Sequence, residues 1–396
     1  MRQTLFVPIL LLFDAVFLIL ASSSLSISRY EAAIFFEGQG YLTQILNASF
    51  TLFGQNDFAL RIPFIGLHLL NVYMLYLVSR EIVKKEGDVF LVLLIFVLLP
   101  GVNTAALIVS KTGIIIFFTL LFIRLNQVHG KHAYYLLPLI AFLDNAFLYL
   151  AIALIFYGHY RKDNRLLFFA ILAFAISYYL FGFDFGKEAK GYFLDIFSIY
   201  AAVFSPLVFL FFIYSLYWQF VKANTRLPIL WFISAVSFLI AIILSLRQNI
   251  RIEDFAPYAV IFVPYMVYAF FNSYRIRLPE FRKTHKAVFS VVMVTLVLNT
   301  VITFFNKPLY LLLDNPKKHF AYEQHFTKEL VEALKQKNIT EVQCDSLPLR
   351  NKLRFYGIAT GGEYTLVSEE PAEGSFERID LAVLGKVIES YYLIKG

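Results

Sequence analysis

Apolar runs long enough to cross a bilayer recur along most of this chain. They fall near 4–24, 62–80, 88–107, 109–125, 131–143, 145–160, 165–182, 196–221, 227–246, 256–273 and 286–305, about eleven in all. A helix of about 20 apolar residues crosses the hydrocarbon core, where only helices and closed barrels satisfy their own backbone polar groups. Composition agrees. Of 396 residues, 59% are hydrophobic and 16% charged, against roughly 45–50% and 25% in soluble domains. The fold class expected is a polytopic all-α membrane protein of about eleven transmembrane helices. The runs 131–143 and 145–160 are short and read as half-spans that meet at Asp144 and Asn145.

The first run imitates a signal peptide, with Arg2 ahead of it and small residues after it. Its length suits a full crossing, and Asp14 within it is foreign to a signal sequence, so it reads as an uncleaved first helix. A carboxylate at that depth is costly unless it faces protein, so Asp14 is expected to be paired within the bundle. His68, inside the second run, reads as a buried, hydrogen-bonded residue.

Basic residues orient the spans. With the N-terminus cytoplasmic, the inner loops are SREIVKKEGD, RLNQVHGKH, HYRKDNR, WQFVKANTR and SYRIRLPEFRKTHK, all rich in Lys and Arg. The opposite loops, PGVNTAA, LDN, GFDFGKEAKGYFLD and RQNIRIEDFAP, are richer in acids. This is the positive-inside pattern. It accounts for the net charge of +7 without nucleic acid, since no basic patch is interleaved with aromatics in a soluble segment. The lone Cys344 forms no internal disulfide or cysteine metal cluster.

The orientation puts residues 25–61 outside, together with everything after the last span. The expected domains are a membrane domain, 1–306, and a small extracytoplasmic α/β domain, 307–396. In the latter, EQHFTKELVEALKQKN has helical period with Phe326, Leu330, Val331 and Leu334 on one side, ITEVQCD and EYTLVSEE read as strands, and ERIDLAVLGKVIESYYLI reads as a helix or a strand–helix pair. It holds no catalytic triad, phosphate loop or metal spacing, and is given a supporting or acceptor-recognition role.

The outer loop is not a plain linker. Ala32, Phe35 and Phe36, then Leu42, Ile45, Leu46 and Phe50, follow helical spacing, and Gly38 and Gly40 divide them into two short interfacial helices. Glu31 falls where the first span meets water. A carboxylate beside hydrocarbon is poorly solvated, which suits a general base. The plainer reading is an interfacial charge paired with Arg29.

The order of a first span, an outer loop opening on an acidic residue, and LFGQNDFALRIPFIGLHLL entering the second span resembles the membrane glycosyltransferases of the GT-C class. It is most similar to glycosyltransferase family 39, which includes protein mannosyltransferases and aminoarabinose transferases. Phe53, Gly54, Asn56, Ala59, Leu60, Arg61 and Pro63 carry the likeness, which covers residues 1–130 and continues beyond them mainly as topology. The family has an Asp-Glu pair after the first span; Tyr30 and Glu31 stand there in this chain.

The resemblance implies an inverting transfer from a polyprenyl-phosphate sugar to a glycan-lipid or protein hydroxyl, at the outer face of a bacterial inner membrane. It makes Glu31 the candidate base, with Glu37, Tyr30 and Asp144 as secondary candidates. For the lipid phosphate it points to Arg247 and Arg251, whose plainer role is snorkelling at the membrane surface. Lys111, deep among apolar residues, needs lipid phosphate, a carboxylate such as Asp144, or water. Arg61 reads as a structural tie, and Lys187 and Lys190 as a solvated loop face. Some GT-C enzymes use a divalent cation, but no outer-side histidine pair has ligand spacing. The rival functions are a lipid or glycan transporter and a non-catalytic lipid-binding member of the same fold.

Overall fold

The computed structural model describes residues 6–183, 191–222, 227–371 and 375–395. Lys187 and Lys190 lie outside them. The chain divides into two compact units: Met1–Ala15, Gly66–Ala106 and Ser110–Thr300 form one, and Val16–Ile65, Leu107–Val109 and Val301–Gly396 the other.

Every apolar run falls on helix. Phe6–Ser23, Asp57–Ile82, Thr112–Ile140, Asn164–Phe181 and Pro279–Phe304 are long and apolar enough to cross a membrane. Two further pairs reach that length only together: Glu86–Leu98 with Pro100–Leu107, bent by 59°, and Phe193–Phe204 with Pro206–Lys222, bent by 102°. Ala146–Arg161 and Ile229–Ser245 are shorter. The run 256–273 is broken into Ala256–Val260 and Val263–Ile276.

In the first unit the bends have local causes. Pro100 and Pro206 lack the N–H that a continuing helix needs and push the preceding residue out of helical conformation. Ser205 accordingly takes φ +76°, and its hydroxyl accepts a hydrogen bond from Asn299 at 2.7 Å. The two breaks meet at Gly101, where a Cβ would stand 2.6 Å from Val203 Cγ1. The stretch Thr112–Ile140 turns back at Gly130, with φ +55°, because Asp144 beyond its end returns to Lys111 before its start. Asp144 and Asn145 stand at the junction ahead of Ala146–Arg161, where the two short runs were expected to meet.

Asp14 is buried and paired as expected, and its partner is the buried His68, 2.8 Å away. A second buried acid, Asp88, takes both oxygens to Arg275 Nη2 at 2.7 and 2.6 Å.

In the second unit the outer loop forms the two short helices read from its pattern, Arg29–Phe36 and Tyr41–Phe53. Gly38 separates them at a spot where a Cβ would run into Ile34 O. The motif around Pro63 has a structural reason. Pro63 leaves the carbonyl of Ala59 without its helical donor, and Ser49 Oγ donates to that carbonyl at 2.5 Å.

The C-terminal part of this unit is α/β. Its strands β1 (Glu341–Gln343), β2 (Ala359–Val367), β3 (Phe376–Val383) and β4 (Lys386–Lys395) lie in the order β1-β2-β4-β3, with β1 parallel to β2 and the rest antiparallel. Helix Thr327–Gln336 buries Leu330, Val331 and Leu334, and Phe326 just before it is buried too, so the expected apolar side is the core side. The final segment corrects its reading as helix or strand–helix: it is the β3–β4 hairpin. Leu384 and Gly385 take φ +49° and +84°, the two positive values of a tight hairpin turn. The alternation of Ile379, Leu381 and Val383 inward is a strand period. Helix Leu347–Phe355 adds to the elements expected from the sequence; its start is marked by Ser346, which accepts the Leu349 N–H, and by Pro348 in its first turn.

Candidate functional site

Glu31 lies in the second unit, in the first turn of helix Arg29–Phe36, and is 2% exposed. Its position follows from Ser28-x-x-Glu31, a capping box. Ser28 Oγ accepts from Glu31 N at 3.2 Å, and Glu31 Oε2 accepts from Ser28 N at 2.8 Å. The other oxygen, Oε1, accepts from Val109 N at 3.1 Å. Glu31 is therefore held by two local hydrogen bonds and one from Val109, 78 residues away, and is buried from bulk water.

The neighbouring candidates sit differently. Arg29 does not pair with Glu31: its Nε lies 3.5 Å from Glu323. Tyr30, in the place of the family's aspartate, is 63% exposed and accepts a hydrogen bond from Arg29. Glu37 accepts from Asn351 Nδ2, at the C-terminal cap of the same helix.

Arg61 is a structural tie. Its guanidinium is fully buried and donates to Ser26 O, Leu107 O, Asp57 O and Asp57 Oδ1 at 2.9–3.2 Å. Asp57 also accepts from Tyr356 and pairs with Lys328 at 3.0 Å. Tyr356 in turn accepts from Ile27 N at 2.9 Å. Burial, with Asp57 beside it, raises the Tyr356 hydroxyl well above its ordinary pKa, so it stays a donor. Tyr356 and Lys328 lay far down the sequence in a region with no motif, so nothing in the chain signalled this network.

In the first unit, Lys111 has the carboxylate partner that was one of its readings. Its ammonium donates to Asp144 Oδ1 at 2.8 Å and Asn145 Oδ1 at 2.9 Å, and it pairs with Asp254. Asp254 also pairs with Arg251 at 3.5 Å, although the Arg251 side chain is more than half exposed. Burial raises the carboxyl pKa of Asp254 and Glu253, with Lys111 opposing. Asp254 was overlooked although it stands three residues after Arg251. Helix Ile229–Ser245 ends before Arg247, so the four-residue spacing of Arg247 and Arg251 does not place them on one helical face. Arg247 is exposed.

Chemically, the first unit offers one largely exposed guanidinium, Arg251, beside an acid–lysine cluster, and the second a buried, oriented carboxylate. Among the described residues, no group of three or more His, Cys, Asp or Glu side chains could hold a metal ion.

No protein-family model matches the chain, and no curated protein matches it. Solved structures do. The crystal structure of ArnT, an aminoarabinose transferase, from Cupriavidus metallidurans in the apo state aligns with a TM-score of 0.57 at 10% identity, over 99% of this chain and 98% of that one. The same enzyme bound to undecaprenyl phosphate aligns with a TM-score of 0.54 at 9% identity, over 97% of both chains. From first helix to last strand, the chain has the GT-C-like fold of membrane glycosyltransferases.

Proposed function

We propose that this protein is a membrane glycosyltransferase that moves a sugar from a polyprenyl-phosphate carrier to a glycan-lipid or protein hydroxyl at the outer face of a bacterial inner membrane. The observation that carries the reading is the end-to-end likeness to an aminoarabinose transferase whose crystal structure holds undecaprenyl phosphate. The basic inner loops support an N-terminus in the cytoplasm and a C-terminal domain in the periplasm.

In this reading Glu31 takes the proton of the acceptor hydroxyl. The freed oxygen attacks the anomeric carbon from the side opposite the phosphate, and the polyprenyl phosphate leaves with inversion. Glu31 Oε2 accepts one hydrogen bond from Ser28 N and Oε1 one from Val109 N, and each oxygen retains further acceptor capacity for a hydroxyl. The backbone N–H groups fix the carboxylate's direction, which general-base transfer requires. Arg247 and Arg251 meet the lipid phosphate, whose geometry a guanidinium matches well. Lys111 holds Asp254, and Asp254 holds Arg251.

A second reading, a non-catalytic lipid-binding member of the fold, is favoured by one observation: the capping box gives Glu31 a structural occupation, and exposed Tyr30 replaces the second carboxylate. Both readings require the carrier lipid to bind. Undecaprenyl phosphate added to the purified protein in detergent is expected to raise its unfolding temperature, and R247Q/R251Q is expected to weaken that effect by about tenfold in lipid concentration. No stabilisation at any lipid concentration would remove both readings.

A further inference from the structure

A polar cavity of about 350 Å³ lies wholly within the second unit, lined by Arg29 of the outer loop and otherwise by residues from Lys317 to Tyr391. That volume is in the range of small-molecule sites, about 300–1,000 Å³. We propose that this cavity is a binding site for a saccharide that carries a negative charge, seated between Lys352, Arg29 and Glu389.

Three features point to that ligand. The first is Lys352. Its side chain lines the cavity, and its ammonium has no ion-pair partner among the described residues; Glu323, Glu389 and Glu31 act on it only through space. Burial lowers its pKa, the cost of a cation left without a partner. An anion at this position would supply one. Arg29 and Lys317 line the same cavity and add to its positive side.

The second feature is Glu389, which lines the cavity together with Tyr322 and Tyr391. A carboxylate in the lining repels a bare anion and accepts sugar hydroxyls. Together with Glu323 it makes the cavity poor for free phosphate and good for a ring bearing one charge among several hydroxyls. The third is the pair of tyrosines themselves, which bring aromatic side chains to the lining, the apolar surface on which a sugar face packs.

His325 lines this cavity and also a second one, about 420 Å³ and apolar, walled by Phe17, Leu20, Phe304 and Phe305 from the ends of two apolar helices. The saccharide therefore has two candidate sources, a free sugar or the head of a membrane lipid whose chain enters the apolar cavity. The proposal deepens the function above by describing its acceptor, and rests on it only for that word; binding stands without any transfer.

The test uses the full-length protein in nanodiscs with no sugar donor present. Glucuronic acid, decyl glucuronide below its micellar concentration, decyl glucoside and inorganic phosphate are titrated by calorimetry. The glucuronides are expected to bind saturably, decyl glucoside at least tenfold more weakly, and K352M to lose at least tenfold in affinity while K352R retains binding. Should K352M fail to fold, E389Q is read instead, with a loss expected for the glucuronides. Decyl glucuronide tighter than glucuronic acid by tenfold identifies a lipid source; equal affinity identifies a free saccharide. Phosphate or the neutral glucoside binding as tightly as the glucuronides would overturn the proposal, as would no binding at all. Absence of transfer activity would sink the enzyme reading and leave these titrations unchanged.

Discussion

His68 Nε2 lies 2.8 Å from Asp14 Oδ2, and both side chains are almost wholly buried among apolar helices. Removing one partner leaves the other without compensation, which costs about 3–5 kcal/mol in buried pairs, whereas an apolar replacement of both is often neutral. D14A is expected to lower the unfolding temperature in detergent by several degrees, and D14L/H68F to recover most of it. If the double variant is no better than the single one, the pair does more than satisfy itself.

Lys111 carries the same logic with two acids. K111M takes away the cation that Asp144 and Asp254 share, while Arg251 stays paired with Asp254. A loss of about 3–5 kcal/mol is expected, partly restored in K111M/D254N. Thermal unfolding of the three proteins measures this.

Arg61 is held in a fixed fork that a lysine cannot reproduce. R61K keeps the charge yet gives up at least two of the four hydrogen bonds to Ser26, Leu107 and Asp57. At about 1.5 kcal/mol or more for each bond to a charged group, a loss near 3 kcal/mol is expected. Hydrogen exchange should rise first in the outer loop around Ser26.

His325 predicts a pH dependence. Its pKa is lowered from 6.5 to about 4, chiefly by burial, with Lys307 and His319 adding to the effect. Its Nδ1 is bonded to the Tyr310 hydroxyl at 3.0 Å, which a neutral ring accepts. Below pH 6.5 the unfolded chain takes up a proton that the folded one refuses until about pH 4. Stability therefore falls as pH drops through that window and levels off beneath it, by up to about 3 kcal/mol. H325Q should flatten the slope measured by denaturation between pH 7 and 4.

Much of this was legible in the chain because it was periodic or local. Apolar runs of bilayer length marked the helices, Gly38 marked the break between the outer-loop helices, and Asp14 and His68 were each recognisable as buried polar residues that needed partners. That they partner each other was not readable, since 54 residues separate them. Ser28-x-x-Glu31 has the spacing of a capping box, a local signal that the reading of Glu31 as a base or as an interfacial charge paired with Arg29 did not use. The hairpin at β3–β4 was misread because its apolar residues suit either period and Leu-Gly is an uncommon hairpin turn. Tyr356, Lys328 and Lys352 belong to contacts brought together only by the tertiary fold, with no motif to announce them.

The most direct test is transfer itself. Proteoliposomes are loaded with a polyprenyl-phosphate-linked radiolabelled sugar and a total bacterial lipid extract with membrane proteins as acceptor, and the label leaving the carrier is followed for wild type and E31Q. The expected result is time-dependent transfer by wild type and a loss of at least about 100-fold in E31Q, with undecaprenyl phosphate still bound and stability lowered only by about 1–3 kcal/mol, because the amide nitrogen cannot accept one of the two backbone N–H bonds that the carboxylate takes from Ser28 and Val109. Label that stays on the carrier with wild type, or an E31Q protein as active as wild type, would contradict the account.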